Sequence, residues 1–244
     1  MSRLTFFGAT EIVTGSAYLL ESAGATLLLE CGLVQGSREQ EQTNDQPFPF
    51  EVGRLDAVIL SHAHLDHSGR LPKLVADGYR GPIYMTNPTC DLLEVMLKDA
   101  AFLEQRDTEW ENKRRRRAGK AEIEPLFTLQ DAEAALAQCE GVEYGKRLRV
   151  AEGIEVSFHD AGHILGSAIV EIFISEKGAQ RKLVFSGDLG NSCAALLRDP
   201  ATIEEADVLL LESTYGDRNH RPMDETLKEF ETIITEAADD DGNI

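Results

Sequence analysis

The stretch AVILSHAHLDHSG, residues 57–69, decides how this chain is read. It opens with four apolar residues, Ala57–Leu60, and so short a run suits a strand buried on both faces. His62, His64, Asp66 and His67 follow at once. Side chains two apart in extended chain point the same way, so His62 and His64 can converge on one ion. The chain then turns, and Asp66 and His67 can face a second ion beside the first. Imidazole and carboxylate suit Zn2+, which at catalytic sites keeps three protein ligands and one open position.

Two distant segments extend this cluster. His163 lies in DAGHILGS, residues 160–167, a Gly-rich turn between expected strands. Asp188 lies in FSGDLG, residues 185–190, directly after the apolar stretch 182–186. A carboxylate at the C-terminal end of a strand is well placed for catalysis or metal binding. Alone, a His beside Gly or an Asp in a Gly-Asp turn reads as structural. The upstream cluster turns both into ligand candidates.

The remaining elements are laid out from pattern. Strands are expected at 3–7, 17–20, 25–29 and 57–60, punctuated by Gly8, Gly15, Gly24 and Gly32, with a polar loop at 35–50. A short helix follows in LPKLVADGY, residues 71–79. Leu92, Leu93, Met96, Leu97, Ala100, Ala101 and Leu103 recur at three and four, which predicts a helix from Cys90 to Arg117. A second helix is expected at about 128–139, and strands at 154–158, 168–174, 182–186 and 207–211. Leu227, Phe230, Ile233 and Ile234 predict a last helix over 224–238. Strands, helices, then strands again imply a layered α/β architecture around a sheet.

Composition narrows the function classes. Lys+Arg number 24 against 43 Asp+Glu, a net charge of −19, while 42% of the 244 residues are hydrophobic. That apolar content excludes a disordered acidic chain. The negative charge argues against broad, non-specific nucleic-acid binding, though not against a local basic groove. No apolar stretch is long enough for a membrane span. Gly8, Thr10, Glu11 and Thr14 interrupt any signal-peptide pattern after Arg3. Cys31, Cys90, Cys139 and Cys193 form no CxxC pair and read as small core residues, which points to a reducing, cytoplasmic location.

With these residues in place, the order HxHxDH, GH, SGD resembles the metallo-β-lactamase fold. LESTYGDRNH, residues 211–220, resembles the entry to the β-CASP domain of RNA-processing nucleases. GATEIVTGS at 8–16 and CGLVQG at 31–36 are similar to that group as well. The glyoxalase II and β-lactamase branches lack the ESTYG segment. The resemblance implies an αββα sandwich over residues 1–210 and the beginning of an inserted β-CASP domain over 211–244. It implies a hydrolase that uses two Zn2+ to cut RNA phosphodiester bonds. RNA is then the partner, and a homodimer is a further expectation.

The resemblance also assigns roles. His62, His64 and His163 would hold one zinc, Asp66 and His67 the other, with Asp188 bridging both. Asp66, Asp188 and Glu212 would be the catalytic carboxylates, and Glu212 would orient a catalytic histidine. Glu30 stands where the family usually has Asp, as a partner of the histidine motif, and its extra methylene is expected to tune that contact. The family's later part carries two more histidines, one a ligand of the second zinc and one a proton donor. This chain ends at Asp241-Gly242-Asn243-Ile244, where the first full β-CASP strand is expected, so it reads as the N-terminal portion of a longer nuclease. Weaker occupancy of the second zinc position and little RNA cleavage follow as expectations. His220 reads as a loop residue rather than a substitute ligand.

Lys113, Arg114, Arg115, Arg116, Arg117 and Lys120 place six positive charges in eight residues. They read equally as an RNA-backbone contact or as a solvated helix end. Two rival functions stay open: a small-ester or thioester hydrolase on the same fold, and a silent metal-binding partner of an active homologue.

Overall fold

The computed structural model describes residues 2–192, 194–219 and 221–239, so the expectations for Cys193, His220 and the last five residues lie outside it. The chain divides into two compact units, Met1–Glu212 and Ser213–Ile244. Among the described residues, the second contains one helix, Met223–Asp239. The first contains two sheets and the candidate site.

Strands β1 (Arg3–Phe6), β2 (Tyr18–Ser22) and β3 (Ala25–Leu29) form an antiparallel meander. Ala23 (φ 53°) and Gly24 (φ 85°) make its two-residue turn, because both central positions of such a turn need positive φ. β3 then pairs in parallel with β4 (Ala57–Ile59). Parallel pairing requires crossovers, and helices supply them. From β4 the chain passes through α1 (Leu65–Ser68) and α2 (Leu71–Ala76) to β5 (Ile83–Thr86). From β5 it passes through α3 (Asn87–Arg117) and α4 (Leu129–Leu136) to β6 (Cys139–Val142).

Alternation along the strands creates two cores. Leu28, Val58 and Leu60 pack with Leu71, Leu74, Leu93, Leu97 and Ala132 of the helices. Leu27, Leu29, Ala57 and Ile59 point the other way, against Val156, Phe158, Val170, Ile172 and Phe185 of the second sheet. This explains why AVIL is apolar throughout, since each of its faces lies in a different core. The second sheet has the order β11-β10-β9-β8-β7, from β7 (Leu148–Ala151), β8 (Ile154–Asp160), β9 (Ala168–Glu176), β10 (Ala179–Phe185) and β11 (Val208–Leu210). This helix-sheet-sheet layering supplies three of the four layers of the expected αββα sandwich.

Three strands lacked a sequence signal. β5, β6 and β7 are four residues each; β6 reads CEGV and β7 LRVA, too short and too charged for clear alternation. The helix expected at about 128–139 stops at Leu136, and Cys139 begins β6 instead. α3 starts three residues before Cys90, because the Thr86 hydroxyl accepts from the Thr89 N–H and Pro88 sits in the first turn. No described helix is long and apolar enough to cross a membrane.

Candidate metal centre

The HAHLDH segment leaves β4 and immediately makes the short α1, so the extended and the turned halves of the motif are both present. The Ser68 hydroxyl donates to the carbonyls of Ala63 and His64 and closes that turn. A neighbouring loop clamps it from outside. Cys31 N–H donates to His67 O at 2.7 Å, Leu33 N–H to Leu65 O at 2.8 Å, and Ser16 N–H to Asp66 O at 2.9 Å. Gly32 sits in the centre of this clamp. A Cβ there would lie 1.7 Å from Asp66 O, so only glycine lets the two backbones approach.

His163 is held just as locally. Its N–H donates to the Ser167 hydroxyl at 3.0 Å, and the hydroxyls of Thr86 and Thr89 both donate to Gly166 O. The start of α3 therefore carries the loop that carries His163. Asp188 follows β10. Glu212 steadies its loop, accepting from Leu189 N–H at 2.7 Å while its own N–H donates to the Ser186 hydroxyl at 3.0 Å.

These pieces converge. His62 Nε2 and His64 Nδ1 are 3.0 Å apart, and His163 Nε2 is 3.1 Å from the same His64 nitrogen. Asp188 Oδ2 lies 3.8 Å from His62 Nε2 and 3.6 Å from His163 Nε2. The other oxygen, Asp188 Oδ1, faces His67 Nε2 at 3.3 Å, and Asp66 Oδ2 is 3.6 Å from that nitrogen. Asp188 thus turns one oxygen to each of two groups of donors. All six residues expected from the motifs meet here.

The electrostatics of His62 and His64 fit metal ligands. Burial holds His62 well below its ordinary pKa, and burial with the neighbouring His163 lowers His64, so both rings are neutral and carry a lone pair at pH 7. Burial opposes charge on His67, but Asp188 and Glu30 outweigh it and raise the ring to about 10. Burial alone would raise Asp188; contact with His67, then the charges of His62 and His163, brings it down to about 2. Three imidazole nitrogens meeting at about hydrogen-bond distance cannot all be satisfied by protons, since His64 Nδ1 faces both neighbours. A cation among them satisfies all three. His62, His64, His163 and Asp188 have the spacing and chemistry of a set that could hold a metal ion, and imidazole with carboxylate suits a hard or borderline ion.

Glu30 belongs behind the site. It is fully buried and accepts from Ser61 N–H at 2.7 Å and, at its other oxygen, from His67 Nδ1 at 2.8 Å. The extra methylene leaves Glu30 within hydrogen-bond reach of the histidine motif. Proximity alone also groups Glu30 with His62 and His67. Its oxygens already accept from these donors, which sets it apart from the other ligand candidates. The contact described for Glu212 is with Leu189, beside Asp188, rather than with a histidine. The basic run ends α3 and is partly tied locally, Arg114 to Glu111, Arg116 to Glu122 and Arg115 to Ala121 O. Sequence reasoning missed Ser61. A buried serine before a histidine motif has no periodicity to betray it.

Residues 19–210 match the family model described as metallo-beta-lactamase superfamily domain. Ribonuclease TTHA0252 of Thermus thermophilus is 43% identical over 242 residues, which cover 99% of this chain and 50% of that protein. Transcription termination factor FttA of Methanocaldococcus jannaschii is 31% identical, over 99% of this chain and 36% of that protein. An RNase J-like protein of the same organism is 31% identical, over 88% of this chain and 43% of that protein. The chain spans about a third to a half of the length of these curated relatives. Its layered sheets, its clustered histidines and the match across most of its length agree: the chain belongs to the metallo-beta-lactamase superfamily.

Proposed function

We propose that the chain is the metallo-β-lactamase portion of a β-CASP-type nuclease that hydrolyses RNA phosphodiester bonds with two Zn2+. The division of Asp188 between two donor groups is the observation that carries this reading. Relatives named as a ribonuclease and as RNase J-like support RNA as the substrate. Residues 1–210 would form the metallo-β-lactamase domain, and 211–244 would begin the β-CASP domain. The free thiols of Cys31, Cys90 and Cys139 favour a reducing compartment, the cytoplasm.

When bound, a pair of ions supplies Lewis acidity for the phosphoryl oxygens and a nucleophile from water at neutral pH. The residues divide the rest of the work. His62, His64 and His163 would fix one ion, Asp66 and His67 the other, and Asp188 would hold the two in register. Glu212 would keep Asp188 in place through the Leu189 amide. A single-stranded RNA incubated with zinc-loaded, full-length protein is expected to be cleaved, and a chelator should stop cleavage until zinc returns. Hydrolysis of a thioester in preference to RNA would replace this reading with that of a small-ester hydrolase.

Lys113, Arg114, Arg115, Arg116, Arg117 and Lys120 would contact the RNA backbone. Each phosphate neutralised in single-stranded nucleic acid adds about −0.7 to the slope of log affinity against log salt. Changing Arg114–Arg117 to Ser should therefore flatten the slope by about two to three. An unchanged slope would assign the run to a solvated helix end.

A further inference from the structure

We infer that the Ser61 hydroxyl is a positioning group that sets the tautomer of His62, and that through it the single carboxylate of Glu30 orients one histidine of each donor group. This rests on the reading of the site as a metal centre.

The count of protons carries it. Glu30, Ser61 and His62 are all fully buried, so water cannot complete their hydrogen bonds. Glu30 Oε1 accepts from the Ser61 N–H. Glu30 Oε2 takes the Ser61 hydroxyl at 3.1 Å and His67 Nδ1 at 2.8 Å. The Ser61 oxygen also lies 2.9 Å from His62 Nδ1. A hydroxyl has one proton to give. Given to Glu30, it leaves only lone pairs facing His62, so His62 Nδ1 must carry its own proton and donate it. His62 Nε2 is then bare, and it points at His64 and Asp188. The reverse arrangement, with Ser61 donating to His62, would leave two bare oxygens facing each other at 3.1 Å and a proton on Nε2 where an ion should bind.

His67 has the same partner directly: its Nδ1 donates to Glu30, and its Nε2 faces Asp66 and Asp188. One carboxylate thus reaches His62 in the first group, through Ser61, and His67 in the second. Histidine ligands are generally oriented this way by a partner on the far ring nitrogen.

The backbone is built to hold the relay. Glu30 has φ 62°, an uncommon conformation for a large side chain, and such strain gathers at functional positions. Its N–H is held by Ile59 O at 3.0 Å. Ser61 O accepts from Ala168 N–H at 2.9 Å, which ties it to the second sheet. Gly187, at φ 53°, leaves the room that Ser61 needs, because a Cβ there would lie 2.7 Å from both Cβ and Oγ of Ser61.

Two measurements on the full-length protein test this. Long-range proton–nitrogen NMR on 15N-histidine-labelled, metal-free protein reads the tautomer of His62, assigned by its loss in His62→Gln. The proton is expected on Nδ1, and in Ser61→Ala a population with the proton on Nε2 should appear. Zinc affinity, measured by competition with a chromophoric chelator, should fall about 10- to 100-fold in Ser61→Ala, the usual effect of losing a ligand's supporting partner. A wild-type His62 protonated on Nε2 overturns the relay, and so does a folded Ser61→Ala that binds zinc as tightly as wild type. Should Ser61→Ala not fold, the wild-type tautomer alone decides. Wild-type protein that binds no zinc would defeat the metal-centre reading itself, a failure separable from that of the relay.

Discussion

Asp188→Asn will leave the fold standing and lower RNA cleavage by the full-length protein about 10²- to 10³-fold or more, the range for removing one preorganised group that stabilises developing charge. Asn matches Asp in shape, so packing changes little. It carries no charge and has one oxygen in place of two. In this site the two oxygens have separate duties: Oδ2 faces His62 and His163, and Oδ1 faces His67. An amide can accept toward one group only and must turn N–H donors toward the other. The zinc content of the variant should fall below two per chain after dialysis against a weak chelator. Metal analysis and single-turnover cleavage of a labelled RNA check both effects. A variant with two zincs and near wild-type turnover would show that Asp188 is not the bridge.

Gly32→Ala should damage the site from behind. The added Cβ would meet Asp66 O at 1.7 Å, Asp66 C at 2.3 Å and Ser16 N at 2.8 Å. All three are backbone atoms, on two different segments, so no side chain can swing away. Overpacking a tight contact costs about 1–3 kcal/mol, sometimes more. Relief must come from moving the 65–67 turn outward, and that turn carries Asp66 and His67. Chemical denaturation should show the loss of stability. Zinc competition should show the position beside His67 weakening more than the one among His62, His64 and His163. Gly53→Ala is the matched control, because no atom lies within 4 Å of its added Cβ. Equal behaviour of the two variants would mean that the clamp does not position the turn.

Much of the molecule was legible because its signals were local. AVIL announced a strand buried on both faces, and the two cores on either side of Ala57–Ile59 are the reason. The spacing in HAHLDH announced one extended pair and one turned pair, and α1 supplies the turn. His163 and Asp188 were weak alone and gained meaning from the cluster upstream. The short strands β5, β6 and β7 escaped because pairing with neighbours, rather than their own pattern, makes them strands. Ser61 escaped for a related reason. Its role depends on Glu30, thirty-one residues away, and on the room left by Gly187. The contact of Glu212 with Leu189 N–H could not be read from a motif that only names a carboxylate.

We propose that one carboxylate, Asp188, holds two metal ions, one among His62, His64 and His163 and one beside His67 and Asp66. Crystals saturated with zinc, with anomalous maps collected on both sides of the zinc edge, address it directly. Two peaks are expected on either side of the Asp188 carboxylate, about 3.5–4 Å apart as in two-metal hydrolases. One should lie among His62, His64 and His163, the other beside His67 and Asp66. A single peak at saturation, or zinc bound only elsewhere on the surface, would contradict the claim.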